Sequence, residues 1–232
     1  MKLSDLFKDL AVGDLRNLSM AENKTIREAD HETVVLFINE GLTNIHSRFD
    51  VNLRDLLIET RKHITFYHLL KRFAESQADV SPEPFLYIKD LNRDPFLEDA
   101  IKVKDVYGSK GQLLPLNDGT LIDSVFTPQP LILQVPHPKD GELLTVLYKS
   151  RLEPVKAGNL GQLIDLPDVL HKALRSYVAF KVFSTLGTVE AAQVAATHFS
   201  SYEATCKEAE SLDLVNTSVV PTNTRFQRNT WI

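Results

Sequence analysis

Ten of the eleven prolines fall between Pro82 and Pro167, and the eleventh is Pro221. Proline fixes φ, lacks an N–H and interrupts helices and central strands. Any long helix must therefore lie before or after that stretch. The chain reads as a helical start, a loop-and-strand middle, a helical return and an extended tail. No internal repeat or low-complexity tract breaks this order.

Before the prolines, Leu3, Leu6, Phe7 and Leu10 form one helical stripe that ends near Gly13. A longer helix is expected after Thr25, with Thr25 and Glu28 as a capping box. Its apolar positions Val34, Val35, Phe37, Ile38, Leu42, Ile45 and Phe49 keep helical steps. Gly41 inside it costs about 1 kcal/mol against alanine, which points to close packing there. After Pro167, Val169, Leu170, Ala173, Leu174, Tyr177, Val178 and Val182 restore the helical period up to Leu186-Gly187. Thr188 caps a second helix to about Leu212, whose apolar face is expected to be Val189, Ala192, Ala196, Phe199 and Cys206. One glycine and one cap between two helices predict an antiparallel helical hairpin.

In the middle, Leu56, Ile58, Ile64 and Phe66 occupy even positions among polar neighbours, as half-buried strands do; a helix up to Leu70 fits the same stretch. Ala100 to Tyr107 alternates, Gly108-Ser109-Lys110-Gly111 turns, and Gln112 to Leu116 returns, the pattern of a hairpin. A second hairpin is expected from Leu131–Val135 through Asp140-Gly141 to Leu143–Tyr148. The fold class is thus α+β: a helical bundle at 1–52 and 156–212, an inserted antiparallel β region at 53–155 and an extended tail at 213–232.

Composition limits the function. The 232 residues are 43% apolar and 25% charged, enough to fill a core. No apolar run approaches the ~20 residues that span a bilayer, and the N-terminal segment lacks the apolar stretch of a secretory signal. The single cysteine, Cys206, excludes an internal disulfide framework and a cysteine zinc cluster, so a reducing intracellular setting is expected. The net charge of −5 lacks the basic excess of proteins that grip nucleic acid.

The catalytic search yields no motif, and no cofactor or metal is expected. His31-Glu32 begins like HExxH, but Val35 stands where the second histidine must ligate. His63 and His68 are five apart, a spacing that puts them on opposite strand faces or off one helical face. Gly108–Gly111 lacks the phosphate-loop consensus and reads as a β-turn. Cys206 reads as a small apolar side chain. Asp90, Asp94, Glu98 and Asp99 lack the glycine and spacing of a calcium loop and read as solvated charge. The last twenty residues have no helical period, yet contain Phe226, the only tryptophan and Ile232. Such aromatic and arginine anchors are enriched at interface hot spots, so the tail is expected to dock into a partner subunit; folding back on its own core is the alternative.

The order of parts resembles the head-to-tail adaptors of tailed bacteriophages, similar to the tail tubular protein A group of short-tailed phages. The likeness lies in Leu166 to Phe183, with its Leu174-Arg175-Ser176-Tyr177-Val178 run, in the hairpin strands from Ile101 to Leu116, and in Tyr202-Glu203-Ala204-Thr205-Cys206. The resemblance implies a non-enzymatic structural protein of the virion neck, assembled in the host cytoplasm. Such adaptors form a ring of about twelve copies beneath the portal, a closed assembly built on repeated contacts. They extend the DNA channel used in ejection and seat the tail tube and nozzle proteins. Carried onto this chain, Arg225, Phe226, Arg228, Trp231 and Ile232 would dock on the portal or a neighbouring subunit. Arg175, Tyr177 and Lys181 would belong to the ring wall. About twelve chains at −5 each carry a charge near −60, a field that repels passing duplex. The alternatives are another neck, tail-completion or nozzle-associated structural protein, or a hydrolase with a dispersed site at His63, His68 or Asp94.

Overall fold

The computed structural model describes residues 1–215. Among these, the chain is mixed α and β, with four α-helices and antiparallel sheets. It divides into two compact units, residues 1–51 with the described part of the chain from 152 onward, and residues 52–151.

In the helical unit, α1 (Leu3–Val12) buries Leu3, Leu6, Phe7 and Leu10 completely or nearly so. Burial of side chains this size is worth about 1.5–3 kcal/mol each. The start of α1 is held by the loop before α3, where Leu3 N–H donates to the Gln162 carbonyl and Ser4 N–H to the Leu160 carbonyl. A small hairpin follows, β1 (Ala21–Glu22) and β2 (Thr25–Ile26), turned by Asn23 and Lys24 at φ 50° and 63°. Two successive left-handed residues match the twist of a tight hairpin. This overturns the expected cap at Thr25. That residue pairs as a strand opposite Glu22, and α2 (His31–Arg48) starts after a single 3₁₀ turn at Glu28–Asp30.

The two remaining helices are α3 (Asp168–Ser184) and α4 (Val189–Ser211). Gly187, at φ +69°, reverses the chain between them, and the Thr188 hydroxyl accepts a hydrogen bond from Ala191 N–H at 3.1 Å. Helix α3 packs on both α2 and α4. The buried face of α4 is Ala191, Ala195, Tyr202, Cys206 and Ala209. Of the expected face only Cys206 is on it; Val189 is 72% exposed and Phe199 42%. Apolar steps of three and four fit more than one stripe on an alanine-rich helix. The Ser176–Ser201 hydrogen bond and the Phe183–His198 stack accompany the stripe that turns to α3.

In the β unit, β3 (Leu53–Glu59), β9 (Leu143–Ser150), β5 (Ala100–Tyr107) and β6 (Leu113–Leu114) form one antiparallel sheet in that order. A second sheet has the order β4 (Phe66–His68), β8 (Ile132–Gln134), β7 (Phe126–Gln129). The hairpin expected from Leu131 to Tyr148 does not form, because β8 and β9 belong to different sheets. Thr60 anchors the connection between them: its hydroxyl donates to the Lys139 carbonyl, its N–H to the Glu142 carbonyl, and its carbonyl accepts from Gly141 N–H. The even-residue strand pattern holds for Leu56 and Ile58 but not beyond. A turn closed by Ile64 N–H on the Arg61 carbonyl shifts the parity, leaving Phe66 exposed while Tyr67 and Leu69 are buried. A one-residue change of register exchanges the two faces of a strand.

Gly41 sets the approach of α2 to α3. A Cβ there would stand 2.9 Å from both Leu174 Cδ1 and Tyr177 Cδ1. Gly41→Val is expected to lower stability by about 1–3 kcal/mol through overpacking, read as a reduced urea midpoint. An unchanged or higher midpoint would show that the two helices can separate freely.

Candidate functional site

The three residues assigned to the wall helix all lie on α3, and each is engaged within the chain. Tyr177 is 8% exposed. Its hydroxyl accepts a hydrogen bond from Asn44 Nδ2 at 3.0 Å, its ring meets Tyr202 edge-on at 5.3 Å, and burial raises its phenol above the ordinary range. Lys181 pairs with Glu40 at 2.8 Å, with its ammonium 5.7 Å from the Phe37 ring centroid. The Glu40 hydrogen bond holds that ammonium more strongly protonated than usual. Arg175 turns to the other side of α3, 3.4 Å from Asp9 and 4.0 Å from Asp14. Thus Tyr177 and Lys181 stand together on the α2 flank, and Arg175 is apart from them.

Leu36, Asn39, Glu40, Thr43 and Asn44 of α2, with Tyr177 and Lys181, line an open groove of about 510 Å³. On α3 itself, Phe180 meets Phe199 at 5.0 Å and Tyr177 at 5.9 Å. An aromatic chain therefore runs from the α2 flank to the half-exposed Phe199 on α4. At the far end of α2, Arg48 donates to Glu203 at 2.9 Å and to Glu210 at 3.0 Å, and its guanidinium lies over Tyr202. The sequence reading missed this clamp. Its signal was the seven-residue spacing of Glu203 and Glu210, two helical turns on one face.

The titratable residues weighed for chemistry do not converge. His31 is at the start of α2, its Nε2 2.9 Å from the Ile26 carbonyl and its ring against Phe7. His63 is exposed in the turn after β3, whereas His68 lies in β4 and stacks on Phe73. Asp94 lines a polar cleft of about 320 Å³ with Arg54, Asp55, Asp90, Phe96 and Tyr148, and neither histidine borders it. Cys206 is fully buried, and desolvation pushes its thiol above the usual range. Among the described residues no group of three His, Cys, Asp or Glu side chains could hold a metal ion. Gly108–Gly111 forms a turn, with Gly111 N–H donating to the Gly108 carbonyl.

The acidic stretch differs from the solvated charge expected of it. Asp90 accepts from Ser76 N–H, the Ser76 hydroxyl and Phe96 N–H at 2.8, 2.6 and 2.8 Å. Asp99 accepts from the Tyr148 hydroxyl and pairs with Arg54, and Glu98 accepts from Lys71 N–H. Asp90 and Glu98 accept from backbone N–H groups at the starts of the 3₁₀ turns Lys71–Phe73 and Glu75–Gln77 and of Phe96, donors that need partners when the chain folds. The assigned docking residues Arg225, Phe226, Arg228, Trp231 and Ile232 lie outside the described residues. Compared with known proteins, the chain matches no protein-family model and no curated protein.

Burial pushes the Asp90 carboxyl up, but the hydrogen bonds from Ser76 and Phe96 outweigh it and hold the group below its ordinary value of 3.8. A depressed carboxylate contributes stability that is whole above the unfolded value and lost as pH falls through the folded one. Wild-type stability is therefore expected to fall more steeply than that of Asp90→Asn as the pH drops below 3.8. Urea midpoints against pH measure this, and parallel curves would count against the role given to Asp90.

Proposed function

We propose that this chain is a structural protein of a tailed-phage virion, a head-to-tail adaptor whose copies form a ring under the portal. In this reading the helical unit is the bundle that builds the ring wall, and the β unit is an insertion in it. The ring extends the DNA channel and offers a platform to the tail or nozzle protein. The observation that carries the reading is how the side chains are spent. His31, Asp90, Glu98 and Asp99 tie loops and helix ends together and Cys206 is buried in the core, whereas Leu36, Val189 and Phe199 stand exposed on helices. Exposed apolar surface marks a site where other chains bind when it forms a contiguous patch, which assembly of copies through these helices would supply.

Two further features favour it. The net charge of −5 per chain makes a ring of such chains repel duplex DNA rather than hold it. The C-terminal stretch carries Arg225, Phe226, Arg228 and Trp231 and has no acidic residue after Asp213, a composition suited to docking. No helix among the described residues is long and apolar enough to cross a membrane.

The test is to mix the chain with the portal protein of the same source and follow co-sedimentation. Rings of bound subunits are expected with the full chain. Removal of residues 225–232 is expected to weaken binding by about tenfold or more, the effect of losing hot-spot anchors. Undiminished binding would remove the tail as the docking device. A full chain that never binds the portal would overturn the adaptor reading.

A further inference from the structure

The outer face of α4 is unusual for a solvent-facing helix. From Ala191 to Tyr202 it contains no Asp, Glu, Lys or Arg, although Gln193, Ala196, Thr197 and half of Phe199 are exposed. A solvated helix face ordinarily carries charge. The outer face of α2 exposes Thr33, Leu36, Thr43 and Ser47, with Leu36 at 56%, beside Glu32 and the partly exposed Glu40. The groove of about 510 Å³ lies on this second face, centred on Leu36, Glu40 and Thr43.

We infer that copies of this chain associate head to tail, the outer face of α4 on one copy lying antiparallel against the outer face of α2 on the next. This rests on the ring reading and names the two faces that would form its repeating contact. The charges bounding the faces set the direction. Glu32 begins α2, while Glu190 begins α4 and Lys207 lies toward its end. Antiparallel helices bring Lys207 to Glu32, whereas parallel ones bring Glu190 to Glu32, a like pair that repels.

The same register places the aromatic side chain. Phe199 is eight residues before Lys207, and Glu40 is eight residues after Glu32. At about 1.5 Å rise per residue, the two helices cover equal lengths. Phe199 then falls over the Leu36–Glu40–Thr43 groove, and Ala196 falls opposite Thr43. Charge and shape select one register independently. An α4-to-α4 pairing would also match Glu190 with Lys207, but it offers Phe199 no groove. Because the two faces are different, each added copy leaves a free face at either end. Such heterologous contacts extend until rotation closes a ring.

The experiment uses the full chain with Thr43→Cys and Ala196→Cys together, treated with a short bismaleimide alone and with portal protein. Cys206 can remain, being fully buried with its thiol pushed up. A ladder of covalent multiples beyond the dimer is expected, and a mixture of the two single variants should give covalent dimers only. Adding Phe199→Glu is expected to cut the ladder about tenfold, as loss of an interface anchor does. Glu32→Lys or Lys207→Glu alone should weaken self-association in sedimentation, and the pair should restore it; both residues are exposed and leave the core intact. Absence of the ladder under both conditions, dimers from Ala196→Cys alone, or no restoration by the paired swap would overturn the inference. Binding to portal without a ladder overturns this surface and leaves the adaptor reading standing. A ladder from a chain that never binds portal supports the surface and counts against that reading.

Discussion

The helical unit depends on how closely α3 can lie against its neighbours. It is buried on most of its circumference, with Leu170, Ala173, Leu174, Tyr177, Val178, Ala179 and Val182 all inside. Helix surfaces interdigitate at separations fixed by the side chains at the crossing. Here the absence of a Cβ at Gly41 lets α2 settle onto Leu174 and Tyr177. That approach brings Asn44 to the Tyr177 hydroxyl and Glu40 to Lys181. One missing methyl group thereby organises a hydrogen bond, an ion pair and the groove beside them.

The same packing divides the polar residues into two populations. Of those weighed for chemistry, Asp90 organises a loop and His31 ties the start of α2 to β2; Thr60, not among them, pins the connection between two sheets. Each satisfies a backbone or side-chain group that burial would otherwise leave without a partner. On the outer surfaces, α4 carries no charged residue from Ala191 to Tyr202, and Leu36 of α2 and Phe199 of α4 stay exposed. The adaptor and head-to-tail readings both draw on that distribution.

The sequence was legible where a single physical signal dominated. The heptad-like stripe of α1, the seven buried apolar side chains from Val34 to Phe49, the Gly187-Thr188 junction and the β5–β6 hairpin each follow from local periodicity or turn chemistry. It was misleading where two local signals competed. Thr25 followed by Glu28 satisfies a capping pattern, yet Asn23-Lys24 makes a tighter turn and draws Thr25 into a strand. On α4 two stripes of small residues are equally periodic, and only the side chains of α3 distinguish them. The acidic stretch offered no periodic signal at all, since the partners of Asp90 and Asp99 come from Ser76, Arg54 and Tyr148, far along the chain.

What the sequence alone determined was the placement of helices at the two ends and strands between them, because proline distribution and apolar period act over a few residues. It also determined the chain's negative charge and its lone, unsupported cysteine. The tertiary structure alone decided that β8 and β9 part into separate sheets, that Tyr177 turns inward, and that Phe199 and Leu36 are left outside. Those outcomes depend on which distant surfaces meet, a balance of packing and hydrogen bonding that no short stretch of residues encodes.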